Sequence, residues 1–308
     1  MSLTVRFLGT SASRPTVERN VSSIAIIREG ETLMFDCGEG TQRQMMRYGI
    51  SFALSRIFFT HMHADHMLGV IGLCRTLALG GRTEPLHLFG PPGSDDLLRT
   101  AIQLGTDKQH YPIEVTEIQP GDSIEHDHYS LATFPVDHAG KRAIGYALIE
   151  KERLGRFDPE RARAMGVPEG PMWGALHRGR PVTLPDGRVV TAESLVGPSR
   201  PGRRIVLTGD SRPCEATITA ATGADLLVHE ATFSEEEAPR ALETGHSTAR
   251  EAAEVALKAG VRKLMLTHFS ARYTRDAIEL EKEARTVFPE SYAARDGLEL
   301  DVGFTDGD

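Results

Sequence analysis

Short apolar runs recur along this chain, and almost every one stops at a glycine, an aspartate, a histidine or a turn. The clearest occupy residues 23–27, 33–35, 56–60, 86–89, 205–208, 226–228 and 263–267. Each is too short for a helix and rich in β-formers, so each reads as a buried strand. Helical patterning falls between them, at residues 41–48, 94–104, 214–222, 247–259 and 274–287. Ser247 is placed to cap the fourth of these, with Glu251 in its first turn and Gly260 just past its last. Strands in two groups with interspersed helices predict an α/β architecture of two sheets covered by helices. Residues 157–200, between the groups, are rich in Gly, Pro and Arg with little apolar periodicity, and read as an extended insertion.

The strand ends carry the chemistry. The run at 56–60 leads into His61-Met62-His63-Ala64-Asp65-His66, which sets three imidazoles and a carboxylate within six residues. Imidazole suits zinc, and the carboxylate completes a mixed nitrogen and oxygen donor set. A strand ending in a tight turn supplies the rigid backbone that fixed coordination needs. The same placement recurs where residues 131–136 run into Asp137-His138, 205–208 into Gly209-Asp210, 226–228 into His229-Glu230, and 263–267 into His268. Polar groups at strand ends can converge on one edge of a layered sheet although they are far apart in sequence. His229 precedes Glu230 along a strand, so its side chain is expected on the opposite face, in a structural role. His87, His110, His126, His128 and His177 are not expected to be ligands, and Cys37, Cys74 and Cys214 lack the partner spacing of metal cysteines.

With 308 residues, 40% of them hydrophobic, the chain can bury a sizeable core, and we expect one domain over 1–308. No apolar run approaches the roughly 20 residues that span a bilayer. The first residues move straight into a strand-like pattern without the long apolar stretch of a secretory signal. Three unclustered cysteines fit a reducing cytoplasm rather than a disulfide framework. A net charge of −8 weighs against a nucleic-acid partner, whose phosphates attract Lys and Arg. The charge is uneven, however: residues 141–188 hold ten Lys/Arg against six Asp/Glu and form a candidate basic patch.

The set His61, His63, Asp65, His66, His138, Asp210 and His268 resembles the metallo-β-lactamase superfamily. Further motifs narrow the resemblance to ribonuclease Z, the tRNA 3′-processing endonucleases. They are Phe7-Leu8-Gly9-Thr10, Phe35-Asp36-Cys37-Gly38-Glu39-Gly40-Thr41-Gln42-Arg43-Gln44, Gly90-Pro91-Pro92-Gly93, His229-Glu230-Ala231-Thr232-Phe233, Gly245-His246-Ser247-Thr248 and Leu266-Thr267-His268-Phe269-Ser270-Ala271-Arg272-Tyr273. Gly170-Pro171-Met172-Trp173-Gly174-Ala175-Leu176-His177-Arg178-Gly179 resembles the glycine-proline hand of the arm that grips tRNA, with residues 151–200 as the arm's approximate extent. The loop Pro15-Thr16-Val17-Glu18-Arg19-Asn20 departs from the family, whose bacterial members often carry lysine where Val17 stands and use this loop to reject tRNA already ending in CCA.

The resemblance implies an αββα four-layer sandwich with an extended arm, and two zinc ions per subunit. His61, His63 and His138 would hold one ion and Asp65, His66 and His268 the other, with Asp210 bridging. It further implies a homodimer whose arm reaches the precursor tRNA bound at the other subunit, and hydrolysis of the 3′ trailer that leaves a 3′-hydroxyl on the tRNA. Asp65 would double as the group that orients the attacking water or accepts its proton. His246, not needed in the metal count, is the expected proton donor to the leaving 3′-oxygen, with Glu230 as its orienter. Arg272, Ser270, Gly170, Pro171 and Arg178 are the substrate-binding candidates, and Arg153, Arg156, Arg161, Arg163 and Arg180 add charge to the arm. Two other readings keep parts of this set: a metal-dependent hydrolase of small phosphodiesters, thioesters or lactams, and a catalytically inactive RNA-binding protein.

Overall fold

The computed structural model describes residues 2–106, 108, 110–273 and 277–305. Its strands in chain order begin with β1 (Leu3–Gly9), β2 (Ser23–Arg28), β3 (Glu31–Phe35), β4 (Arg56–Phe58), β5 (Leu86–Gly90), β6 (Ile113–Glu117), β7 (Ser123–Glu125), β8 (Tyr129–Pro135) and β9 (Ile144–Glu150). They continue with β10 (Val182–Thr183), β11 (Val189–Val190), β12 (Arg204–Leu207), β13 (Leu226–Glu230), β14 (Leu264–Thr267), β15 (Ser291–Ala293) and β16 (Glu299–Asp301). The helices are α1 (Thr41–Tyr48), α2 (Ala64–Met67), α3 (Gly69–Leu79), α4 (Asp95–Gln103), α5 (Pro159–Ala164), α6 (Pro171–His177), α7 (Glu215–Ala221), α8 (Ala238–Thr244), α9 (Ala249–Ala259) and α10 (Ile278–Arg285). The expected helix at 274–287 survives as α10, and its first residues, 274–276, lie outside the described ones.

Two seven-stranded sheets form, in the orders β16-β1-β2-β3-β4-β5-β6 and β15-β14-β13-β12-β9-β8-β7. From β3 to β6 and from β12 to β15 the strands are parallel. Parallel strands are covered on both faces, which is why β13 is buried at every position and opens on the apolar run Leu226–Val228. Tyr146 of β9 joins the sheets. Its buried ring meets Phe35 and Phe58 edge-on at 5.4 and 5.7 Å, and its hydroxyl donates to the Phe59 carbonyl at 2.7 Å. On the outer face of the first sheet, Met45, Leu73 and Leu98 of α1, α3 and α4 pack with Met34, Ile57 and Leu88. Helices α7, α9 and α10 cover the second sheet. The layering is the expected αββα sandwich, and it sets the C-terminal ends of the parallel strands along sheet edges where ligands collect.

Residues Asp127–Tyr129 and Ile149–Arg203 form a second compact unit. It contains α5, α6 and the β10–β11 hairpin, and a small core of Ala162, Val167, Leu176, Leu184, Val190 and Leu195 with Phe157 and Trp173 packed against it. The sequence shows little sign of this core because its apolar residues stand singly between Gly, Pro and Arg and follow no period. Within the unit, Arg203 and Glu150 are buried and bonded bidentately at 2.7 and 2.9 Å.

The start of α9 corrects one expectation. Thr248, not Ser247, is the cap: its hydroxyl accepts from the Glu251 amide at 3.1 Å, and the Glu251 carboxylate accepts from the Thr248 amide at 2.9 Å. This reciprocal box closes the first turn. Ser247 is thereby free to turn inward, where its amide donates to Glu230.

Candidate metal centre

Several strands end by turning through the left-handed region, which swings the next side chain toward the edge. Asp36 after β3 has φ 57°, Gly209 after β12 φ 63° and His268 after β14 φ 58°. Such values cost a non-glycine residue about 1 kcal/mol or more and persist only where the surroundings impose them. Gly209 has a second constraint, since a Cβ there would stand 2.6 Å from the Thr60 side chain.

These turns bring the seven sequence-designated donors together. His61, His63, His138 and Asp210 each offer one atom within 4.8 Å of the others, and so do Asp65, His66 and His268. Asp210 faces both groups, with one oxygen for each. Its Oδ2 lies 3.5 Å from His61 Nε2 and 3.9 Å from His138 Nε2. Its Oδ1 lies 3.3 Å from His66 Nε2 and 3.2 Å from His268 Nε2. Asp65 Oδ2 closes the second group, 3.3 Å from His268 Nε2 and 3.6 Å from His66 Nε2.

The donor set fits a pair of metal ions. Asp210 Oδ1 and His61 Nε2 are buried with no hydrogen-bond partner among the described residues, which is costly unless a cation meets them. Nitrogen faces nitrogen at 3.3 Å between His66 and His268, and at 3.4 Å between His63 and His138. Burial and the neighbouring His66 push the His61 pKa well down, leaving a neutral donor. Burial also opposes charge on His66, but Asp210 and Asp36 outweigh it and hold that pKa well up. That spot favours a positive charge, which a metal ion can supply in place of the proton.

The far nitrogens of four of these histidines are engaged. His66 Nδ1 donates to Asp36 at 2.7 Å, His138 Nδ1 to the Gly245 carbonyl at 2.8 Å, His61 Nδ1 to the Thr60 hydroxyl at 3.1 Å, and His268 Nδ1 to the Thr232 hydroxyl at 3.0 Å. Each bond fixes a tautomer with the Nε2 lone pair inward. The two threonines then pass their own hydrogens on, Thr60 to Asp36 at 2.9 Å and Thr232 to Glu230 at 2.6 Å. Asp36, Thr232 and Gly245 were quoted in motifs but given no role from sequence; the signal for Asp36 was its place directly after an apolar strand. Replacing Asp36 by asparagine is expected to weaken metal affinity about 10- to 100-fold by chelator competition, with the fold retained. Unchanged affinity would remove Asp36 from the support of the centre.

His246 donates from Nδ1 to Glu230 Oε1 at 2.7 Å. Burial lowers the His246 pKa, but the Glu230 charge and hydrogen bond overcome this and set it at about 9. Glu230, although buried, also accepts from the Ser211 amide at 3.0 Å, the Ser247 amide at 3.1 Å and the Thr232 hydroxyl. Asp210, Glu230, His246 and His268 also lie close enough to hold an ion. The Glu230 oxygens are already engaged by these donors, which sets Glu230 and His246 apart from the seven-donor set. Arg212 donates to the His246 carbonyl at 2.7 Å while paired with Glu251, which steadies the histidine's backbone.

Of the substrate candidates, Ser270 lines a cleft of about 240 Å³ together with His246. Arg272 is paired with Glu237 and lies over the Phe233 ring at 5.9 Å. Gly170, at φ 116°, precedes α6, Pro171 begins it and Arg178 ends it, all in the second unit. His229 is buried and bonded to the Glu230 carbonyl, outside the donor cluster. Val17 is almost fully exposed, at the apex of a turn closed by Thr16 and Arg19.

A profile described as a β-lactamase superfamily domain matches residues 31–167 and 174–269. A protein named ribonuclease Z from Gemmatimonas aurantiaca is 60% identical over 307 residues, covering 99% of this chain and 98% of its own. The chain belongs to the ribonuclease Z family. A ribonuclease Z from Haloferax volcanii is 48% identical over 310 residues, covering 100% of this chain and 98% of its own. The crystal structure of the short form of human tRNase Z superposes with a TM-score of 0.71 at 25% identity, covering 98% of this chain and all of that one. The family's name thus attaches along the whole length, including the second unit.

Proposed function

We propose that this chain is the endoribonuclease that hydrolyses the 3′ trailer from precursor tRNA and leaves a 3′-hydroxyl, using two zinc ions per subunit in a cytoplasmic homodimer. The reading is carried by the His246–Glu230 pair beside the shared His/Asp cluster, in a chain whose relatives along its full length are ribonuclease Z proteins. His61, His63 and His138 would hold one ion, Asp65, His66 and His268 the other, and Asp210 both. Ions there would supply Lewis acidity, giving hydroxide at neutral pH and offsetting charge on the phosphodiester. His246 keeps Nδ1 on Glu230 and presents Nε2 to the leaving 3′-oxygen, to which it gives its proton. The Asp65 carboxylate is held well below the usual carboxylate range, burial being outweighed by its bonds to His268 and His66. Asp65, held beside both His66 and His268, would orient the attacking water or accept its proton.

The arm, residues 151–200, would meet the tRNA backbone through its arginines, since folded RNA offers phosphates and shape more than readable base edges. Arg163 is paired with Glu160 and Glu169, whereas Arg161, Arg178 and Arg180 meet no carboxylate among the described residues. The test is a precursor tRNA with a 3′ trailer, its cut mapped by gel and end-group analysis. We expect one cut near the discriminator base, and an Arg178→Ala/Arg180→Ala variant with KM raised about 10-fold or more and a shallower salt dependence. A protein that hydrolyses bis(p-nitrophenyl) phosphate but leaves the precursor intact would be a small-phosphodiester hydrolase, and the tRNA reading would fall.

A further inference from the structure

The cleft beside His246 draws its cations from two separate parts of the chain. Arg14 comes from the loop after β1 and Arg240 from α8, and both line the same space of about 240 Å³. Neither guanidinium meets a carboxylate among the described residues, in contrast to Arg212 with Glu251 and Arg272 with Glu237. Arg240 rests over the Phe233 ring at 5.9 Å, supported by an aromatic face instead of an anion. The loop bearing Arg14 is pinned to the centre. The Ser13 amide donates to Asp65 Oδ2 at 2.7 Å, the Ala12 amide to the Phe269 carbonyl at 2.8 Å, and the Ser11 hydroxyl to the Arg14 carbonyl at 2.8 Å. Two unpaired guanidinium groups at the rim of a cleft match a phosphate, which each can grip bidentately. The cleft is also smaller than the roughly 300–1,000 Å³ of a pocket that encloses a whole small-molecule ligand, and suits sugar and phosphate better than a base.

Direction follows from the acid. His246 protonates the leaving 3′-oxygen, so the ribose carrying that oxygen lies against the open side of His246, which this cleft adjoins. We propose that Arg14 and Arg240 bind the phosphate immediately 5′ of the scissile one. The site thereby holds the last retained nucleotide by its backbone and accepts any base there. This rests on the assignment of His246 as donor to the retained strand's 3′-oxygen.

The test uses precursor tRNA with a single uncharged methylphosphonate, placed either at the linkage 5′ of the cut or at the one 3′ of it. Wild type and the Arg14→Ala/Arg240→Ala variant are compared on both. In the wild type, neutralising the 5′ linkage should lower kcat/KM about 10-fold or more, and in the variant it should change little, because the partners are already gone. Neutralising the 3′ linkage should affect both proteins alike. Full, multiplying losses from the 5′ linkage and the variant, or a variant-dependent loss at the 3′ linkage, would overturn the proposal. A parallel arm compares dinucleoside monophosphates with and without a 5′-terminal phosphate. If precursor tRNA is not cut but the 5′-phosphate preference is present in wild type and absent in the variant, the tRNA reading falls and the phosphate site stands. If tRNA is cut and neither comparison distinguishes the variant, the site falls and the tRNA reading stands.

Discussion

Alanine in place of Asp210 is expected to lower turnover of precursor tRNA by at least about 10⁴-fold and to cut bound zinc from two per chain to below one. Among the described residues no other donor faces both groups. Asp210 is buried, and although burial opposes its charge, His268, His66 and His61 hold its pKa well below the ordinary carboxylate range. Without it, His61 and His138 lose the carboxylate that faces them, and Asp65 alone is left against His66 and His268. Metal content by atomic emission, single-turnover cleavage and thermal unfolding should be read together. Asp210→Asn keeps the shape while removing the charge, and separates loss of metal from loss of fold. An alanine variant with full zinc and activity within 10-fold of wild type would sink the bridging role.

The second large effect belongs to His246. His246→Ala should reduce cleavage of precursor tRNA about 10²- to 10⁴-fold, the usual worth of a general acid. The loss should be far smaller on bis(p-nitrophenyl) phosphate, whose phenolate leaves without a proton. Equal losses on the two substrates would make His246 a positioning group only. The pH profile gives an independent check. An acid works while protonated, so kcat/KM is lost as pH rises through its pKa, set here at about 9 by Glu230 against the pull of burial. Asp210 contributes in the same direction as Glu230, and His66 opposes both. In Glu230→Gln the carboxylate charge is gone and burial acts with less opposition, so the alkaline limb must move to lower pH. A limb that stays in place would detach Glu230 from the acid.

Much of this was legible before any coordinates. The parallel strands β3, β4, β5, β12, β13 and β14 are legible because strands covered on two faces carry short apolar runs, and the candidate ligands stand out because they follow such runs directly; β15, like β6, carries no such run. Glu230 and His246 are singled out in the sequence by elimination from the metal count, and the structure places them in hydrogen-bond contact. What stayed hidden follows a different logic. β6, β7 and β16 alternate weakly on half-exposed edges, and α3 carries two glycines that weaken a helical pattern. Gly72 of α3 sits where a Cβ would meet the tip of the Gln42 side chain at 2.9 Å, so the residue that obscures the helix leaves room for that amide. Thr232 is invisible in sequence because a threonine hydroxyl acquires meaning only when a carboxylate and an imidazole close on it from other strands. Arg14 and Arg240 likewise look like ordinary surface arginines until the fold brings both to one cleft with no carboxylate partner among the described residues.

The paired threonines have a consequence for how the two halves of the site communicate. Each hydroxyl has one hydrogen, and because that hydrogen goes to the carboxylate, the bond from the imidazole can run in one sense only. An imidazole that gives electron density to a cation becomes a stronger N–H donor, the hydroxyl behind it a stronger O–H donor, and the carboxylate a weaker competitor for its remaining proton. On the Asp36 side that remaining partner is another ligand, so filling one half of the centre adjusts the other. On the Glu230 side it is His246. Cations held by His268 and its neighbours would therefore bear, through Thr232 and Glu230, on the proton that His246 carries, so that metal binding and the acid would share one hydrogen-bonded chain.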